Sequence, residues 1–185
     1  MRKAIVLLFI VFYNFIIAQN NPNPGYWQQQ ADYKMELSMD VKTFQYKGTQ
    51  TLEYSNNSND TLRKVFYHLY FNAFQPGSEM DIRLQTITDP DKRMVKSFKV
   101  AGKDVTESRI STLKPEQIGY LKIANFKQDG QVALTKVVGT ILEVTLVKPI
   151  LPNSKSTFTL DFDGQVPEQV RRSGRNSAEG VALSM

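Results

Sequence analysis

The chain has 185 residues, 41% of them hydrophobic and 22% charged, which places it among folded domains and outside the disordered and low-complexity classes. It contains no Cys, which excludes disulfide staples, thiolate metal sites, a cysteine nucleophile and a lipidated cysteine. It contains one His, His68, so no site that needs two imidazoles is built from this chain alone.

In chain order, Arg2 and Lys3 precede an apolar run over residues 4–17, and Ala18 supplies a small residue before a polar stretch. At about 14 residues this run is shorter than the roughly 20 that a spanning helix needs. Residues 1–18 therefore read as a secretory signal peptide, with the mature protein exported to the periplasm or the cell exterior and carrying no membrane span. Losing Arg2 and Lys3 takes two of the 23 positive charges and lowers the balance from +5 to +3, too mild to imply nucleic acid as a partner. Residues 19–30, rich in Asn, Pro and Gln, read as a linker or extended lead-in anchored by Trp27.

From residue 31 the period becomes two. Tyr33, Met35, Leu37, Met39 and Val41 fall on one face, with Lys34, Glu36, Ser38 and Asp40 on the other, the alternation of a half-buried strand. A second strand is expected over residues 46–54, with Gly48 marking a bulge, and a turn over 55–60. Residues 62–71, dense in β-branched and aromatic types, read as a strand buried on both sides with His68 inside it. Across residues 72–92 the period fades, and Pro76-Gly77 and Asp89-Pro90 break it, so a long irregular excursion is expected. Residues 94–105 hold a hairpin around Ala101-Gly102, and residues 114–119 a single helical turn.

Four further strand-like runs cover residues 120–127, 131–138, 140–147 and 156–166, joined by Asp129-Gly130, Gly139 and the segment 149–153. Seven to eight or more strands, without an amphipathic helix of ten residues, imply an all-β fold: an antiparallel β-sandwich or open β-saddle over residues 31–168. Past Pro167 the alternation stops, and residues 169–185 read as the start of a connection to a further domain.

The motifs for chemistry are sparse. No G-x-G loop, phosphate loop or G-x-S-x-G elbow occurs, and His68 is followed by Leu69 where a zinc hydrolase helix needs H-E-x-x-H. His68 therefore reads as a hydrogen-bonded sheet residue, and Asp161 and Asp163, two apart on one strand face, as members of a solvated face. Arg171, Arg172 and Arg175 form the sharpest positive cluster, either exposed or paired with acidic groups of a neighbouring domain. Asn56-Asn57-Ser58 and Asn59-Asp60-Thr61 match the glycosylation pattern, which arises often by chance. No catalytic, cofactor-binding or metal-ligating residue is assigned.

Six stretches carry a resemblance: YWQQQADYKMELSMDV (26–41), KVFYHLYFNAFQPGS (64–78), LKPEQIGYLKI (113–123), QDGQV (128–132), GTILEVTLVKPI (139–150) and VPEQVRRSGRNSAEG (166–180). Together they resemble the N-terminal β domain of the aminopeptidase N family of zinc metallopeptidases, in its secreted bacterial branch. The resemblance implies a non-catalytic domain that packs against a downstream catalytic domain of the same polypeptide and walls the cleft for a peptide substrate. The resemblance also implies that zinc and its H-E-x-x-H belong to that catalytic domain and that this chain breaks off before it. The rival reading is a freestanding secreted β-sandwich that binds sugar or protein, since sandwiches serve many functions.

Overall fold

A computed structural model describes residues 25–170, 173–175, 177 and 180–183. The expected signal peptide, Arg171 and Arg172 lie outside them. The fold is all-β, with antiparallel sheets of five, three and two strands and one α-helix among the described residues.

Strands β1 (Gln30–Asp40) and β2 (Gln45–Asn56) form a long hairpin. Its turn closes because the Asp40 carboxylate accepts from the backbone N–H groups of Lys42 at 2.8 Å and Thr43 at 3.3 Å, which holds its pKa below the usual range. Alongside β2 run β10 (Ser154–Gln165), then β6 (Tyr120–Gln128) and the short β7 (Gln131–Val132), completing the five-stranded sheet β1-β2-β10-β6-β7. Facing it is the sheet β3-β9-β8, built from β3 (Leu62–His68), β9 (Ile141–Ile150) and β8 (Leu134–Val138). Alternate residues point between the sheets, so Phe158, Leu160 and Phe162 of β10 meet Leu142 and Val144 of β9, with Phe126 of β6 among them.

The third layer of structure is a side lobe. Helix α1 (Glu79–Thr86) packs on the hairpin of β4 (Val95–Val100) and β5 (Lys103–Ser108) around Leu84, Met94, Val95 and Ile110. The turns of both this hairpin and β6–β7 have positive φ at both central residues, Ala101-Gly102 and Asp129-Gly130, which matches the right-handed twist of the strands they join. At the end of the chain, β11 (Ser173–Arg175) pairs with β12 (Val181–Leu183).

Several expectations are corrected. The apolar row of β1 is not buried: Tyr33, Met35 and Leu37 are exposed, Leu37 by 62%, on the outermost strand of the five-stranded sheet. Gly48 makes no bulge. Its register with both neighbours is continuous, and it sits where the backbone of Glu36 and the ring of Phe162 approach too closely for a Cβ. Residues 62–71 are not one doubly buried strand: β3 ends at His68, exposes Phe66 and hands over to a 3-10 turn at Tyr70–Ala73. The run 131–138 divides at the buried Ala133, its first part pairing with β6 and its second with β9, so the chain crosses from one sheet to the other. The excursion 72–92 is ordered in part by α1, whose N-cap Ser78 accepts from the Asp81 N–H at 3.2 Å.

Candidate domain junction

Where β10 ends, three segments distant in sequence meet. Gln165, the last residue of β10, is 3% exposed and donates its amide to the carbonyls of Pro115 at 2.9 Å and Ile118 at 2.8 Å. Its own oxygen accepts from the Gln45 amide at 3.1 Å. The turn that offers those carbonyls is closed by Gln117 N–H and Ile118 N–H on the Lys114 oxygen, the helical turn expected at residues 114–119. Gln117 also bonds the Glu168 carboxylate through its side chain and the Glu168 N–H through its carbonyl. The half-exposed turn is thereby pinned to the buried end of β10, and the amide of the buried Gln165 has its hydrogen-bonding partners.

The same turn holds the 3-10 segment. Gly119 N–H donates to the Phe74 oxygen at 2.9 Å, the Gln75 amide to the Gly119 oxygen at 3.0 Å, and Leu121 N–H to the Asn72 side chain at 2.8 Å. A Cβ on Gly119 would stand 2.8 Å from the Phe71 oxygen, so the approach of the turn to the 3-10 segment needs glycine. Val166, Pro167 and Val170 are buried beneath. Arg175 folds back onto this knot: its guanidinium lies 4.9 Å from the Phe44 ring centre and bonds the Glu116 carbonyl, while its N–H reaches the Pro167 oxygen at 2.8 Å. Its charge is thus engaged within the domain.

Beside the junction a cleft of about 540 Å³ opens between residues 72–80 and the β8–β9 turn at Gly139-Thr140. Behind it Asp81, 3% exposed, receives the Gly77 N–H at 2.8 Å and the Ser111 hydroxyl at 2.7 Å. Burial alone raises the Asp81 carboxyl, but hydrogen bonds from Ser108, Gly77, Ser111 and Gln85 outweigh it and hold the group below the usual carboxylate range.

The residues singled out in the sequence are scattered. His68 is exposed at the end of β3 and stacks on Tyr70, ring centres 4.9 Å apart. Asp161 and Asp163 lie on the outward polar face of the large sheet, where Asp161 accepts from Asn125 at 2.6 Å. Asn56 is fully buried, its amide donating to the carbonyls of Asp60, Ile150 and Leu151, so it is a structural bracket between the sheets and not a glycosylation acceptor. Asn59 is exposed. Among the described residues no three His, Asp or Glu side chains are grouped as metal ligands.

No family model matches the chain, and no curated protein matches it. Solved structures do resemble it. An M1 zinc metallopeptidase from Deinococcus radiodurans is 14% identical with a TM-score of 0.43 over 83% of this chain and 23% of its own. A mutant of the enzyme from the same organism, bound to a Tyr-Ser-Ala substrate, is 11% identical with a TM-score of 0.45 over 85% of this chain and 27% of its own. A two-domain M1 zinc metallopeptidase mutant bound to L-arginine is 15% identical with a TM-score of 0.47 over 83% and 26%. The chain spans about a quarter of the length of the solved structures it matches.

Proposed function

We propose that this chain is the exported, non-catalytic N-terminal portion of a zinc aminopeptidase, and that the junction at the end of β10 sets how the downstream catalytic domain is seated. One observation supports this reading above the others. Three of the six stretches whose wording resembles the family, 64–78, 113–123 and 166–180, are far apart in sequence yet bonded to one another at the point where the chain leaves the sandwich. A domain that only bound a ligand has no need of a rigid exit, whereas one that must hold a second domain in register does.

In this reading the cleft wall formed by residues 72–80 faces the peptide-binding side. Zinc bound in the catalytic domain would supply an activated water for attack on the N-terminal peptide bond. That chemistry would sit in the catalytic domain; the part of this chain is to wall the cleft. The test begins with the coding frame beyond Met185. A frame that continues into H-E-x-x-H agrees with the proposal, and a stop codon with no such frame favours the freestanding binding module. Mixing this chain with the separately expressed catalytic part is then expected to give association at about 10 µM. Hydrolysis of aminoacyl-anilides by this chain alone overturns it.

A further inference from the structure

The outer edge of the five-stranded sheet is β1, and no strand among the described residues pairs with that edge. β1 pairs with β2 over all eleven of its residues without a register shift, so its outward N–H and C=O groups form an unbroken row. Toward the core side it shows Tyr33, Met35 and Leu37, all exposed. Toward the other side it shows Asp32, Lys34, Glu36 and Ser38, with Lys34 and Glu36 side chains 80% and 77% exposed and 3.9 Å apart. That pair contributes little as it stands.

We propose that β1 docks a second copy of this chain as an antiparallel β1–β1 pair about a two-fold axis at Met35, merging two five-stranded sheets into one. This goes beyond the peptidase reading and does not depend on it. The sequence fixes the register. A two-fold normal to the sheet keeps every side chain on its own face only when paired residue numbers have an even sum. Met35 is the middle of β1, so an axis there uses all eleven residues. Lys34 then faces Glu36 of the second copy and Glu36 faces its Lys34, while Tyr33 meets Leu37 and Met35 meets Met35.

Neighbouring registers lose. An axis at Lys34 or Glu36 sets that charge against its own copy. An axis at Tyr33 or Leu37 leaves seven paired residues, 30–36 or 34–40. Charges on an edge strand ordinarily deter pairing; on β1 they repel in the adjacent registers and attract in the central one. A single strand pair buries less than the roughly 800 Å² per partner of a standard interface, so the dimer is weak, with Kd on the order of 10 µM.

Sedimentation of the purified chain from about 1 to 200 µM is expected to show a monomer–dimer equilibrium around that Kd. Lys34→Glu and Glu36→Lys should each weaken it tenfold or more, and the double exchange Lys34→Glu with Glu36→Lys should restore it to within about threefold. Both side chains are outside the core, so unchanged circular dichroism separates lost pairing from lost folding. In the off-centre registers Lys34 would face Asp32 or Asp40, and the double exchange would stay broken. Because the chain has no Cys, Met35→Cys supplies a lone thiol across the axis and should form a linked dimer on mild oxidation. Tyr33→Cys, about 14 Å from its copy, should not. A monomer at every concentration, a double exchange that fails to restore pairing, or linkage at Tyr33→Cys in place of Met35→Cys overturns the proposal.

Discussion

Tyr46 and Gly164 face each other across β2 and β10, and two rungs away Gly48 and Phe162 do the same with the roles exchanged. In each pair a ring lies over bare backbone: a Cβ on Gly164 would stand 2.1 Å from Tyr46 Cζ, and one on Gly48 2.8 Å from Phe162 Cζ. The glycines are thus part of the aromatic packing, in the manner of cross-strand pairs that rescue glycine in sheets. Gly164→Ala is expected to cost about 1–3 kcal/mol in urea unfolding, since the ring must leave its seat. The same burial, with the charge of Tyr120 adding to it, pushes the Tyr46 phenol up to about 12. Its pKa is raised on folding, so its contribution is complete below about pH 10, the unfolded value, and is lost as pH rises through about 12. Tyr46→Phe should flatten that alkaline loss, and tyrosinate absorbance should show one late-titrating phenol fewer.

At the scale of elements, what the sequence showed depends on whether a local signal suffices. Ala101-Gly102 and Asp129-Gly130 close hairpins because their backbone conformation is a property of those two residues alone. The alternation of β1 was equally plain, but it only says which side chains share a face; whether another layer covers that face is a matter of tertiary packing, which leaves Tyr33, Met35 and Leu37 exposed. A glycine in a strand has two explanations, bulge or close approach, and only the register with β1 and β10 chose the second for Gly48. Helix α1 escaped notice because eight residues give two turns and little period, leaving Ser78 with Glu79 and Asp81 in the first turn as its sole sequence mark. Asp81 anchors this helix to the lobe. Its pKa is depressed, so the stability it contributes is present above about pH 4 and fades as pH falls through the lower folded value. Asp81→Asn should cost about 1–3 kcal/mol at neutral pH, because hydrogen bonds to a buried charge are lost, and should remove the acid sensitivity of amide protection in α1.

At the scale of the molecule, the described residues form two apolar clusters, a large one between the sheets and a small one in the lobe. The glutamines that organise the junction between them were invisible in sequence, because Gln is ordinarily a surface residue and the partners of Gln165 lie 50 and 47 residues away. Gln128 is the same case at the other end, buried on β6 and bonded to Lys148 O and Val147 N of β9. The wording of those stretches was legible as resemblance and not as chemistry. One side chain connects the lobe cluster with the exit: Val170 is 3% exposed, belongs to the lobe core and lies on the segment that carries the chain out of the sandwich. Small cores with few apolar contacts open at lower free energy than the global transition. Val170→Ala removes two methyl groups from the lobe and none from between the sheets, so about 1–3 kcal/mol of the lobe's stability should go while the sandwich keeps its own. Native-state hydrogen exchange should then show faster exchange in α1, β4 and β5, with β2 and β10 unchanged. Equal acceleration in both would mean that lobe and sandwich unfold as one unit, and that the exit is held by the whole molecule.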